Sequence, residues 1–293
     1  MAGEDNKNVS RALAAGRMLV LDGATGTELE RRGAPCSLPL WSSGGLLHTP
    51  ELVGEIHAEY SRAGCDLLTA ASFRTQRRVL ARCGLGERAE ELTRLAVRLA
   101  RQTHRGPVLG SAPPLEDCYR PDLVPESPAL EQEHQEHAEQ LARAGADAIL
   151  AETHHTAREA RAAALAARAV GLPVLVSFVC NAKGQLLSGE PLEAGIDAVL
   201  EAGPVAVGIN CLPVPALASC LPILQACGLP FLLSPNLTAP TESVPGGRAN
   251  PVQPADFAAL AQTWREAGAA IVGGCCGTTP DHLAAVVRLQ ART

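Results

Sequence analysis

Ala144-Gly145-Ala146-Asp147-Ala148-Ile149-Leu150-Ala151-Glu152 is the stretch on which the fold turns. A helical pattern ends at a glycine, two residues follow, and a continuous apolar run begins. The same phrase recurs at Ala63-Gly64 before Leu67-Leu68, at Ala202-Gly203 before Val205-Ala206-Val207, and at Ala267-Gly268 before Ala270-Ile271-Val272. Glycine tolerates positive φ, so each helix stops there and a strand follows at once. The apolar runs are continuous rather than alternating, as parallel strands covered on both faces require.

Working outward, strands are expected near Met18–Asp22, Leu67–Ala71, Val108–Ser111, Ala148–Glu152, Val174–Phe178, Ala206–Asn210, Phe231–Pro235 and Ala270–Gly274. Helical patterns fill the intervals at Pro50–Ala63, Glu87–His104, Ala129–Ala144, Thr156–Val170, Leu192–Glu201, Val214–Cys227, Pro254–Ala267 and Pro280–Ala291. Eight such units predict an α/β fold, a single-domain (β/α)8 TIM barrel over residues 18–293 with an N-terminal extension over 1–17. Within the extension, Asn6–Arg17 is expected to form a short helix closing the barrel bottom. An open doubly wound sheet is disfavoured because no G-x-G-x-x-G follows the first strand. Thr238–Gln253, rich in proline and glycine, reads as a lid or as an ordinary surface loop.

Hydrophobic residues at 46% supply ample core, and 25 basic against 31 acidic side chains leave a net charge of −6. That balance gives no electrostatic footprint for nucleic acid. No apolar window is long enough to span a membrane. The acidic, polar start lacks the basic and apolar regions of a secretory signal, which points to the cytoplasm. The ten cysteines should then be reduced. No C-x-x-C occurs among them. The sequence carries no signal for oligomeric state.

In a barrel, unusual polar residues at the carboxyl ends of strands read as functional. Strand one ends Asp22-Gly23-Ala24-Thr25-Gly26-Thr27, strand four Glu152-Thr153-His154-His155, strand six Gly208-Ile209-Asn210-Cys211, strand seven Ser234-Pro235-Asn236 and strand eight Gly273-Gly274-Cys275-Cys276-Gly277. Strands six and eight can bring Cys211 to Cys275 and Cys276. Neighbouring strand residues point to opposite faces, so both cysteines aim inward only if the backbone turns, which Gly273, Gly274 and Gly277 permit. Three thiolates without an obvious fourth protein ligand suit a Zn2+ site with an open position. The other seven cysteines read as small buried hydrophobes. Asp22 and Glu152 can both face the barrel mouth. Adjacent His154 and His155 read as surface loop residues rather than ligands.

Gly208-Ile209-Asn210-Cys211 and Gly273-Gly274-Cys275-Cys276-Gly277-Thr278-Thr279-Pro280, with Asp22-Gly23, resemble the homocysteine S-methyltransferase family of zinc-dependent barrels. The resemblance implies that Cys211, Cys275 and Cys276 bind one Zn2+, which takes up the homocysteine sulfur. It implies that Asp22 and Glu152 hold the substrate amino group, while backbone amides of the loop bearing Gly23 can take the carboxylate. It places Asn236 near the metal, able to occupy the open position before the thiol arrives. Read on their own, Asp22 also fits a turn residue capping its loop, and Asn236 a hydrogen bond ordering the next one.

The chain has no room for folate and cobalamin modules, so a small cationic methyl donor is expected. S-methylmethionine is favoured over betaine because Pro39-Leu40-Trp41-Ser42 and Tyr119-Arg120 resemble that branch, although Leu115-Glu116-Asp117-Cys118 departs from both. Trp41, Phe73, Tyr119 and Phe178 are the aromatic residues placed to face a cationic donor. Another thiol or a selenol is an alternative acceptor. Outside this class stand a zinc-stabilised barrel without catalysis and a barrel zinc hydrolase or lyase.

Overall fold

The computed structural model describes residues 8–237 and 252–291. In it every Ala-Gly pair of the repeat ends a helical segment with a left-handed glycine: Gly64 at φ +94°, Gly145 at +86°, Gly203 at +66° and Gly268 at +98°. Most of the expected loop at 238–253 lies outside the described residues.

The first third of the chain runs α1 (Val9–Ala14), β1 (Leu19–Val20), α2 (Gly26–Arg31), α3 (Ser42–His48), α4 (Pro50–Ala63), β2 (Leu68–Thr69), α5 (Arg77–Ala81) and α6 (Ala89–Thr103). The middle follows as β3 (Val108–Ser111), α7 (Ser127–Ala144), β4 (Ala148–His154), α8 (Ala157–Ala169), β5 (Val174–Phe178) and α9 (Leu192–Val199). The last part is β6 (Ala206–Pro213), α10 (Leu217–Ala226), β7 (Phe231–Asn236), α11 (Pro254–Glu266), β8 (Ile271–Val272) and α12 (Pro280–Gln290). The eight strands form one parallel sheet in the order β1-β8-β7-β6-β5-β4-β3-β2. Its two ends meet at a parallel bridge, Leu21 to Leu67. This single-domain α/β architecture is consistent with a TIM-type barrel.

Strands β1, β2 and β8 are shorter than the sequence predicts. Near the seam a side chain takes the place of a ladder partner: the Asp66 carboxylate accepts the Val20 N–H at 2.9 Å and is itself gripped by Arg17. β4 and β6 are longer than expected, and each carries a register shift near its carboxyl end.

Side chains alternate across each strand. Leu19, Leu21, Leu67, Leu109, Ala148, Leu150, Leu175, Ala206, Leu232 and Ile271 fill the interior, joined from below by Val9 of α1. Their neighbours Val20, Leu68, Val108, Ile149, Val174, Val207, Phe231 and Val272 pack against the helices. Asn8 caps α1 by accepting the Arg11 N–H. No helix among the described residues is long and apolar enough to cross a membrane.

One buried group in the helical layer works against stability. His57 of α4 is fully buried with neither ring nitrogen hydrogen-bonded, and burial, aided by nearby His104, lowers its pKa to about 4. The unfolded chain takes up a proton near pH 6.5 that the folded chain refuses, so this group removes stability as pH falls through that range. His57→Leu should therefore stabilise the protein relative to the native chain, by an increment that grows from pH 7 to pH 5. Thermal melts at both values read it. An increment independent of pH would contradict the assignment.

Candidate metal and substrate site

The alternation that builds the core also builds the site. Two residues beyond the inward leucines the same face presents Thr69, Ser111, Glu152, Ser177 and Ser234, and four beyond Ala206 it presents Asn210. All of them line a cavity of about 130 Å³ at the carboxyl end of the sheet. Leu21, Leu150 and Leu232 lie at its base, with Asp22, Gly23, Cys211, Cys275 and Cys276 in its wall.

The three sulfurs converge there, all within 4.8 Å of one another, and among the described residues no other three potential ligands do so. Tetrahedral zinc with sulfur at about 2.3 Å needs sulfurs about 3.8 Å apart, so Cys211 and Cys275, 2.7 Å apart here, would have to spread to hold it. Contact with Cys275 pushes the Cys211 thiol well above its usual range, and contact with Cys211 does the same to Cys276. Buried thiolates this close would repel one another, so the three stay protonated on their own and could ionise together only around a cation.

The turn that delivers Cys275 and Cys276 has a partner for every amide. Gly274 N–H donates to Asp22 O, Cys275 N–H to Pro235 O, Cys276 N–H to Asn236 Oδ1, Gly277 N–H to Thr27 Oγ1 and Thr278 N–H to Cys275 O. Thr278 Oγ1 in turn accepts the Ala24 N–H and donates to Cys275 O. The glycines serve two different purposes. Gly277 supplies positive φ at +84°, whereas a Cβ on Gly274 would sit 2.3 Å from Thr278 Cγ2. Cys211 reaches the cluster by another route, as a non-glycine residue at φ +57° on the irregular end of β6.

Asp22 and Glu152 face the same cavity from β1 and β4. Burial raises the Asp22 carboxyl well above its usual range, opposed by the Thr69 N–H it accepts at 2.9 Å and reinforced by the Glu152 charge. Burial raises Glu152 to about 7 although Ser111 Oγ donates to its Oε1 at 2.5 Å. Among the described residues no lysine or arginine lines this cavity. A cation bound beside these two carboxyls would favour their ionised forms.

Asn236 lies beside the cysteine cluster. Its Oδ1 is committed to the Cys276 N–H at 3.0 Å, and it is not among the lining residues. Of the four aromatic residues, Trp41 and Phe73 line the cavity. Phe178 is fully buried against the helical layer instead, and the Tyr119 hydroxyl is buried without a partner outside the lining. His154 and His155 are buried rather than on the surface. A register shift in β4 turns them outward into the α7–α8 layer, where His154 Nε2 meets Ala112 O at 3.1 Å. The sequence analysis places Asn210 and Ser234 at strand ends without giving them a role and passes over Thr69, Ser111 and Ser177, although each of these three stands two residues past an inward leucine.

A family model described as homocysteine S-methyltransferase matches residues 19–289. The chain is 34% identical to the homocysteine S-methyltransferase of Escherichia coli K12, over 94% of this chain and 95% of that protein. It is 28% identical to a selenocysteine methyltransferase of Astragalus bisulcatus, over 94% of this chain and 93% of that one. The crystal structure of the metallated Escherichia coli homocysteine methyltransferase MmuM superposes with a TM-score of 0.80 at 31% identity, covering 97% of this chain and 99% of that one. The chain therefore belongs to the homocysteine S-methyltransferase family and is a methyltransferase.

Proposed function

We propose that this chain is a cytoplasmic (β/α)8 barrel that methylates homocysteine to methionine, drawing the methyl group from a small cationic donor, with S-methylmethionine favoured. The observation that carries this reading is the placement of three converging cysteine sulfurs and two buried carboxylates in the wall of one cavity. Cys211, Cys275 and Cys276 would hold one Zn2+, which when bound supplies a Lewis acid that keeps an incoming thiol deprotonated near neutral pH. Asp22 and Glu152 take the substrate ammonium, whose charge relieves the cost of their burial. The loop from Gly23 lies beside them for the substrate carboxylate. Asn236 contributes indirectly, holding the Cys276 amide and so the direction of that side chain.

The transfer is a direct displacement. The acceptor sulfur forms a bond to the methyl carbon while the bond from that carbon to the donor sulfonium breaks, and its electron pair stays with the departing thioether. Trp41 and Phe73 offer ring faces to the donor cation. The likeness to a selenocysteine methyltransferase favours testing a selenol as second acceptor.

Reduced, zinc-loaded protein should form methionine from homocysteine with S-methylmethionine, and more slowly or not at all with betaine. Selenocysteine offered in place of homocysteine tests the wider acceptor class. Absence of turnover with both donors and both acceptors would overturn the proposed reaction.

A further inference from the structure

Three non-glycine residues at the mouth have positive φ, Trp41 at +46° in the segment before α3 and, at strand ends, Thr153 at +62° and Cys211 at +57°; the last two are linked. One follows Glu152 and the other follows Asn210, and the Asn210 side chain connects them. Its Oδ1 accepts the Thr153 N–H at 2.9 Å and the Ser177 hydroxyl at 2.7 Å. Its Nδ2 donates to Thr153 Oγ1 at 2.8 Å and to Glu152 Oε2 at 3.4 Å. A primary amide offers two acceptor directions and two donor hydrogens, and all four are used. The Thr153 N–H can only donate, so it fixes which end of the amide carries oxygen and leaves the NH2 facing Glu152. The residue is 3% exposed and lines the cavity without belonging to the sulfur cluster.

We propose that Asn210 is a positioning residue for acceptor recognition: it fixes the Glu152 carboxylate relative to the strand end carrying Cys211, and so sets where the amino group of a homocysteine-like acceptor is held while its sulfur meets the cysteines. The proposal rests on the reading of Glu152 as an ammonium ligand. Left-handed backbone at a threonine is disfavoured and persists only where neighbouring bonds hold it. Removing the amide releases Thr153 and lets the carboxylate turn, while Ser111 still holds its other oxygen. Recognition of the amino group weakens and recognition of the sulfur does not.

The test compares homocysteine with 4-mercaptobutanoate, the same thiol acid without its amino group, by calorimetry on the zinc-loaded protein, with metal content measured alongside. In Asn210→Ala the homocysteine Kd should rise about tenfold, the scale of one hydrogen bond to a charged group. The 4-mercaptobutanoate Kd and the zinc content should stay as in the native chain. Equal weakening of both ligands, or no change in either, would overturn the proposal.

If Asn210→Ala misfolds or loses zinc, Thr153→Val decides, because it removes only the Oγ1 partner. It should reduce the preference for homocysteine about threefold, a fraction of one hydrogen bond, and an intact preference would count against the proposal. A native protein that binds the two ligands equally overturns something different, the ammonium role of Glu152 and Asp22, and the positioning role falls with it.

Discussion

Cys276→Ala should leave a folded protein that no longer retains zinc and no longer transfers methyl groups. Turnover should fall by at least about a thousandfold, the scale of losing several kcal/mol of Lewis-acid activation. The fold should survive because the interior layer of leucines and the helical cover lie below the cluster and do not use its sulfur. The backbone of the turn survives too. Cys276 N–H remains bonded to Asn236 and Cys276 O to the Leu237 N–H, neither of which depends on the side chain. Circular dichroism, metal analysis and turnover on one preparation read all three properties. A variant that unfolds would instead make the metal structural, since structural zinc contributes directly to folding. A folded, zinc-replete and active variant would remove Cys276 from the ligand set. Cys118→Ala is the matched control: its buried thiol lies outside the converging three, and zinc should be retained.

Much of this site was legible in the chain before any coordinates, for a reason particular to parallel barrels. Strand ends point to one mouth, so Cys211, Cys275, Cys276, Asp22 and Glu152 could be placed together from strand positions alone. The glycine-terminated helices were equally legible, because a left-handed C-terminal residue has a strong local preference. What escaped was conformation that only tertiary contacts stabilise. Thr153 and Cys211 adopt positive φ without being glycine, and no local signal announces that. The register shift in β4 that sends His154 and His155 into the helical layer follows from the same irregularity, so a pair that reads as a surface loop is buried. Gly274 shows the opposite error. It was read as a source of turn flexibility, but its want of a Cβ matters because Thr278 packs against it. For Asn236 the sequence left two readings, near the metal or a hydrogen bond ordering the next segment; its oxygen accepts the Cys276 N–H, which has no strand partner once the chain turns.

Glu152→Gln should make the protein worse at binding its acceptor and better at staying folded, with opposite dependences on pH. Burial raises the Glu152 carboxyl to about 7 against an ordinary 4.5. With the folded pKa above the unfolded one, its contribution to stability is fully present below about pH 4.5 and is lost as pH rises through about 7. At pH 8 the native chain bears the cost of an ionised carboxylate in a closed cavity, at most about 3 kcal/mol for a shift of that size. The amide does not bear it, so the variant should melt higher at pH 8, and the gap should close toward pH 5.

Function runs the other way. An ionised Glu152 is what an ammonium seeks, so native kcat/KM for homocysteine should fall as pH drops through about 7. Asp22, raised by its own burial and by Glu152, titrates with it, and the observed value belongs to the pair. In the variant the homocysteine KM should rise by about a hundredfold at pH 8, the upper range for a lost charged hydrogen bond. Its kcat should change far less, because the cysteine cluster is untouched. Ser111 Oγ can still donate to the amide oxygen, while the amide nitrogen cannot accept from Asn210 Nδ2, so the variant loses the charge together with that one hydrogen bond. Higher stability at pH 8 with an unchanged KM would show a costly buried carboxylate that does not touch the substrate. A raised KM without the gain in stability would show that another cation already neutralises Glu152 in the free protein. Only the two together fit a carboxylate whose unfavourable burial is relieved when the substrate ammonium binds.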